Sequence, residues 1–186
     1  MDISLEEKKI LLSIARNSIA SAFGGKKEEA PDASKFPLFT SKCGAFVTLT
    51  INHRLRGCIG YIISDKPLIQ TIAEAAQMAA FDDFRFGPLS QNEFSKIHIE
   101  ISILSEPVPA AGYADIVVGK HGLIMEEKGR RGLLLPQVPL EHNMDRDAYL
   151  DAICEKTGFP SGYWRTKELK LKLFTADVFS ESELES

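Results

Sequence analysis

An α+β fold is what the 186-residue sequence predicts, on three observations. Its clearest strand patterns alternate apolar and polar residues, two of them as a hairpin. Helical patterns fall between groups of strands instead of after every strand. Neither Gly-x-Gly-x-x-Gly nor Gly-x-x-x-x-Gly-Lys-Ser/Thr occurs, so nothing points to a parallel nucleotide-binding sheet.

The elements follow in order. Ser4-Leu5-Glu6-Glu7 is laid out as a capping box, in which Ser4 and Glu7 each satisfy a free backbone donor. Leu11, Ile14, Ala15, Ser18, Ile19, Ala22 and Phe23 continue at helical spacing, and Gly24-Gly25 supplies a left-handed stop. Residues 26–42, with Pro31 and Pro37, read as a surface loop. Ala45 to Ile51 alternates, Asn52-His53 reads as a turn, and Leu55 to Ile62 as the returning strand of a hairpin. Pro67 suits the first turn of a helix whose apolar face runs from Leu68 to Ala80.

Ile97, Ile99, Ile101 and Ile103 alternate with His98, Glu100 and Ser102, the cleanest strand in the chain, which Pro107 and Pro109 end. Short strands are predicted at Ile116–Val118, Leu123–Met125 and Leu133–Leu135. A helix follows over Asp147–Lys156, stopped at Gly158, then one last strand over Leu169–Phe179 and a polar tail from Ser180. All 186 residues read as one domain, and the order is compatible with an internal duplication of halves at about 40–105 and 115–180.

Bulk properties narrow the function classes. Lysine and arginine total 22 against 26 acids, a formal charge of −4, so the surplus of cations that replaces counterions on nucleic acid is absent. No apolar run approaches the ~20 residues of a membrane helix. The N-terminus is acidic and lacks a signal-peptide layout. Cys43, Cys58 and Cys154 are odd in number without a Cys-x-x-Cys pair, which argues against a disulfide framework or thiolate zinc site. Free thiols suit the reducing cytoplasm.

Candidate chemistry centres on Leu55-Arg56-Gly57-Cys58-Ile59-Gly60-Tyr61. Gly57 and Gly60 permit tight turns and close approach of a ligand. Arg56 is a permanent cation that could activate a thiol or fork onto a carboxylate or phosphate. Cys58 reads as a nucleophile, or else as a small buried hydrophobe on a bulged strand. A nucleophilic cysteine needs a base, and the histidines offer His98, on a polar strand face with Glu100, and His121, bracketed by Gly119 and Gly122. Asp83 and Arg85, set among aromatic residues in Asp82-Asp83-Phe84-Arg85-Phe86, could orient a substrate, and Gln137 could hydrogen-bond one. His98-x-Glu100 provides two metal ligands without a third, so neither a metal nor a cofactor is assigned.

The hexapeptide Leu55 to Gly60 is accompanied by other pieces in order: Gly44 to Leu49, Asp83 to Phe86, Ile99 to Leu104, Gly119 to Leu123, Gly132 to Val138, Cys154 to Gly158, Trp164 and Phe174 to Phe179. Together they resemble the AMMECR-type domain family, across almost the whole chain. The family usually has proline where Phe84 stands and a tryptophan near Met144. The resemblance implies a mixed α+β fold with a barrel-like sheet and two related halves, in a larger and a smaller lobe. It also implies relatives of the bacterial AmmeMemoRadiSam system, whose companions are a Memo-like protein and a radical S-adenosylmethionine protein. It brings no catalytic mechanism.

Two readings stand side by side. In one, an enzyme or enzyme component acts on a small anionic molecule, with Cys58 attacking, Arg56 and Arg85 holding the anion, and His121 or His98 transferring protons. In the other, a non-catalytic module binds a partner protein or ligand through the same cleft.

Overall fold

A computed structural model describes residues 3–25, 32 and 35–184. Helices and two antiparallel sheets make up the α+β architecture, and neither sheet closes into the barrel that the resemblance suggests. The chain divides into two compact units, Met1–Leu104 with Asp177–Ser186, and Ser105–Ala176.

The first unit is a four-stranded sheet, in the order β2 (Arg54–Tyr61), β1 (Ala45–Ile51), β3 (His98–Leu104) and β8 (Ala176–Ser180), with helices α1 (Leu5–Ser21) and α2 (Leu68–Phe81). Helix α1 (Leu5–Ser21) begins at the capping box, where the Ser4 amide donates to Glu7 Oε2 over 2.9 Å and the Glu7 amide donates to Ser4 Oγ over 3.3 Å. It buries Leu11, Leu12, Ala15 and Ile19. Strands β1 (Ala45–Ile51) and β2 (Arg54–Tyr61) form the predicted hairpin. Asn52 and His53 both take positive φ, 51° and 60°, as a two-residue turn that follows the twist of the strands requires. Helix α2 (Leu68–Phe81) buries Ala75, Ala76, Ala79 and Ala80, small side chains that let its backbone lie close to β2. Strand β3 (His98–Leu104) pairs with β1, and its Ile99, Ile101 and Ile103 join Val47 and Leu49 in the core. Burying each such aliphatic side chain contributes about 1.5–3 kcal/mol.

The second unit repeats this path. Strands β5 (Gly122–Glu127) and β6 (Arg130–Leu134) form a hairpin, α5 (Arg146–Lys156) follows, and β7 (Leu171–Phe174) returns to pair with β5. The two-residue strand β4 (Val108–Pro109) completes the order β4-β7-β5-β6. Tyr149, Leu150, Ile153 and Cys154 of α5 pack with Leu123, Met125, Leu171 and Leu173 as its core.

Several predicted elements need correction. The single final strand over Leu169–Phe179 is two strands in different sheets, β7 and β8 (Ala176–Ser180). Alternation continues through both, so the pattern carries no mark of the break at Thr175. The strand expected at Ile116–Val118 is absent. Tyr113–Asp115 makes a 3-10 turn there, and the Lys120 and His121 amides both donate to Val117 O in a further turn. Strand β3 ends at Leu104, ahead of Pro107 as expected, while Pro109 sits in a further short strand, β4, on the sheet edge that tolerates a missing donor. Within the expected 26–42 loop, residues 26–31, 33 and 34 lie outside the described residues, and Pro37–Thr40 is a 3-10 turn that buries Phe39.

The polar tail beyond Ser180 is not plain tail. Short helices α3 (Gln91–Phe94), α4 (Val138–Glu141), α6 (Tyr163–Thr166) and α7 (Glu181–Leu184) had no sequence expectation. In α7, Glu181 takes the Arg16 guanidinium in a fork of two 2.6 Å contacts and accepts the Ile99 amide at 2.9 Å. The Glu181 side chain is 15% exposed, so Glu181→Ala leaves two donors poorly paired. We expect a loss of about 1–3 kcal/mol in urea unfolding, and an unchanged midpoint would show that the latch contributes nothing.

Candidate functional site

The geometry around Cys58 begins with a bulge. Thr50 pairs with Leu55 and Leu49 with Gly57, so Arg56 is an extra residue in β2. Beyond it, parity along the strand is reversed. Gly57 lies opposite core-facing Leu49, and Cys58 lies opposite half-exposed Thr48. The expected tight turns at the two glycines do not occur, since both lie within β2. Gly57 serves close approach of a different kind: a Cβ there would sit 2.0 Å from Ala79 O of α2.

Cys58 is held by three groups. Its amide donates to Asp83 Oδ2 over 2.9 Å. Its carbonyl accepts from Arg85 Nη2 at 3.2 Å. Its sulfur accepts from Thr48 Oγ1 at 3.3 Å. Arg85 in turn forks onto Asp83, Nε to Oδ1 at 2.9 Å and Nη2 to Oδ2 at 2.7 Å. Asp83 is 5% exposed and Arg85 44%, so a buried carboxylate carries a cation that still reaches solvent. The Arg85 fork chiefly holds the Asp83 carboxyl well below the usual carboxylate range, against the opposing effect of burial, with the Cys58 amide adding to it. Asp83 therefore orients; ionised and surrounded by donors, it is poorly suited to take a proton from sulfur.

Arg56 is occupied elsewhere. Its Nε meets Glu93 Oε1 at 2.8 Å, and Nη2 reaches Gly87 O at 3.0 Å and Pro88 O at 3.3 Å. Glu93 also closes the capping box of α3 with Ser90 and is drawn down to about 2 by Arg56 first and then by the Ser90 donors. The bulge residue thus ties β2 to the 87–93 segment. Glu100 lies opposite Thr48 on the far side of β1, and His98 opposite Thr50, so both occupy the sheet face that carries Cys58. Two strand spacings separate Glu100 from Cys58, roughly 10 Å between their backbones.

His121 and Gln137 belong to the second unit. His121 Nδ1 lies 3.2 Å from the Val117 amide and 3.1 Å from Asp115 O. Gln137 Oε1 is buried without a hydrogen-bond partner among the described residues. Phe84, where the family usually has proline, is 96% exposed, and Met144 is half-buried against the second core. Among the described residues no group of three or more His, Cys, Asp or Glu could hold a metal ion, and no helix is long and apolar enough to cross a membrane.

Thr48 and Glu93 were not singled out from sequence. An even count back from the Asn52-His53 turn places Thr48 opposite Gly57, and only the bulge brings it to Cys58. The Ser90-x-x-Glu93 spacing was a readable capping signal for α3, but not for the Arg56 contact.

A hairpin whose bulged second strand carries Arg-Gly-Cys-Ile-Gly, braced by a buried Asp–Arg pair, defines the class of site. The family model for AMMECR1 matches residues 12–179, and the chain belongs to the AMMECR1 family. Similar proteins include one of Aquifex aeolicus, 38% identical over 93% of this chain and 92% of its own, and one of Methanococcus aeolicus, 41% identical over 96% and 93%. The crystal structure of uncharacterized protein PH0010 from Pyrococcus horikoshii is 36% identical, with a TM-score of 0.81 over 92% of this chain and 89% of that one.

Proposed function

We propose that the protein binds a small anionic molecule on the Cys58 face of the first sheet and acts on it through the Cys58 thiol. One observation carries this reading: the Arg85 cation is fixed beside the Cys58 peptide by buried Asp83, yet remains 44% exposed. A preset guanidinium binds carboxylate or phosphate without first having to be ordered. Thr48 donates to the sulfur at 3.3 Å and so fixes the direction in which the thiol points. His98 and Glu100, on the same face, are the groups placed to move protons at the far end of a bound molecule. Arg56, already forked onto Glu93, positions the bulge in place of holding ligand.

Paired alkylation tests the reading. Neutral iodoacetamide and anionic iodoacetate are compared at Cys58, with Cys43 and Cys154 as internal references read by mass spectrometry. Burial pushes both reference thiols up, so they should label slowly near neutral pH. We expect Cys58 to label first, with an iodoacetate preference roughly tenfold above that of Cys43, about 1.4 kcal/mol, lost in Arg85→Gln. Labelling of Cys58 only in denaturant would make it a packing residue and leave the site as a binding module.

A further inference from the structure

Beside the second sheet lies a cavity of about 540 Å³, whose described lining residues all belong to that unit. Strands β5 and β7 send Leu123, Met125, Leu171 and Leu173 inward, which leaves Ile124 and Lys172 on the opposite face. Lys172 is the cross-strand partner of Ile124 on one side and of Pro109 on the other, so a lysine stands between two apolar neighbours in one row. Lys170, two residues earlier, also lines the cavity.

The charges in this cavity do not cancel. Among the described residues, neither Lys170 nor Lys172 has an ion-pair partner, whereas Glu126 is engaged by Arg131 at 3.1 Å. The remaining acid, Glu168, is a single negative charge against two lysines. Lys170, just before β7, and Lys172 within it are like charges two residues apart, and an anion placed between them offsets their repulsion. Their aliphatic stems, with Ile124, Ala110 and Leu169, offer an apolar wall leading to the charged pair. A volume of this size lies within the range of pockets for small organic ligands.

We propose that this cavity is a second binding site, specific for a carboxylate carrying an aliphatic chain. The carboxylate sits between Lys170 and Lys172, and the chain lies along Ile124, Ala110 and Pro109. The site is independent of Cys58.

Backbone amide NMR of the full chain, titrated with sodium octanoate at constant ionic strength, tests it. The expected result is saturable shifts at Ile124, Leu169 and Lys172, with 1-octanol binding at least tenfold more weakly. A Lys170→Gln/Lys172→Gln variant should weaken octanoate at least tenfold, while Cys58→Ser leaves it unchanged. No saturable shift, equal binding of the alcohol, or full binding by the double variant would each overturn the proposal. Shifts confined to residues around Cys58 and Arg85 would also overturn it, while supporting the anion site of the first sheet.

Discussion

Gly57→Ala is expected to cost more than about 4 kcal/mol, the range reached only when packing cannot relax. The added Cβ would lie 2.0 Å from Ala79 O and 3.0 Å from Ala79 C. Both are backbone atoms of α2, which is fixed on its other side by Ser18 Oγ donating to Ala73 O at 2.7 Å and by Gln77 donating to Ser18 O. Relief requires moving a helix, not rotating a side chain. Gly87→Ala is the control, since nothing lies within 4 Å of its Cβ position. Urea unfolding should be followed by far-UV circular dichroism, because the single tryptophan, Trp164, belongs to the other unit. A Gly57→Ala midpoint equal to that of Gly87→Ala would mean that α2 is not held as tightly as these contacts require.

Asp83→Asn should lower stability by about 2 kcal/mol at neutral pH. Breaking a fully buried pair costs 3–5 kcal/mol, but Arg85 is 44% exposed and solvent screens part of the interaction. The variant also gives up charge-assisted acceptance from the Cys58 amide. The pH dependence has a definite sign. The folded-state value of Asp83 lies below its unfolded one, so its contribution is complete above the ordinary aspartate value of about 3.9 and fades as pH falls below it. The gap between wild type and Asp83→Asn should therefore be constant from pH 7 to about 5 and close below pH 4. A gap that persists at acid pH would assign the loss to packing. Alkylation of Cys58 should change in the same variant, because the amide and carbonyl that flank it lose their brace.

Much of the first unit was legible because its signals are local. The capping box at Ser4 and Glu7, the Asn52-His53 turn and the isoleucine alternation of β3 each depend on residues a few positions apart. The strand period reads the core face of β1 and β3 correctly for the same reason, and the helical period finds most of that of α2 while missing Thr71 and Ala75. The C-terminal latch was not legible. Glu181 meets Arg16 across 165 positions, and nothing in a polar tail says which distant cation it will find. Nor did alternation reveal that Leu169–Phe179 divides between two sheets, since each strand keeps its own period on either side of Thr175.

By itself, the amino-acid sequence determined an α+β chain, its principal helices and hairpins, and the Arg-Gly-Cys-Ile-Gly segment as the place to look for chemistry. Only the tertiary structure decided what that segment presents. Regular pairing from the Asn52-His53 turn would set Cys58 opposite Val47 and bury it in the core. The extra residue at Arg56, anchored by Glu93 and the Gly87 and Pro88 carbonyls, shifts the register by one. Because side chains alternate with a period of two, that single step moves the thiol to the open face and turns Gly57 toward α2. The contacts that hold the bulge come from residues more than 30 positions away, beyond the reach of local sequence pattern.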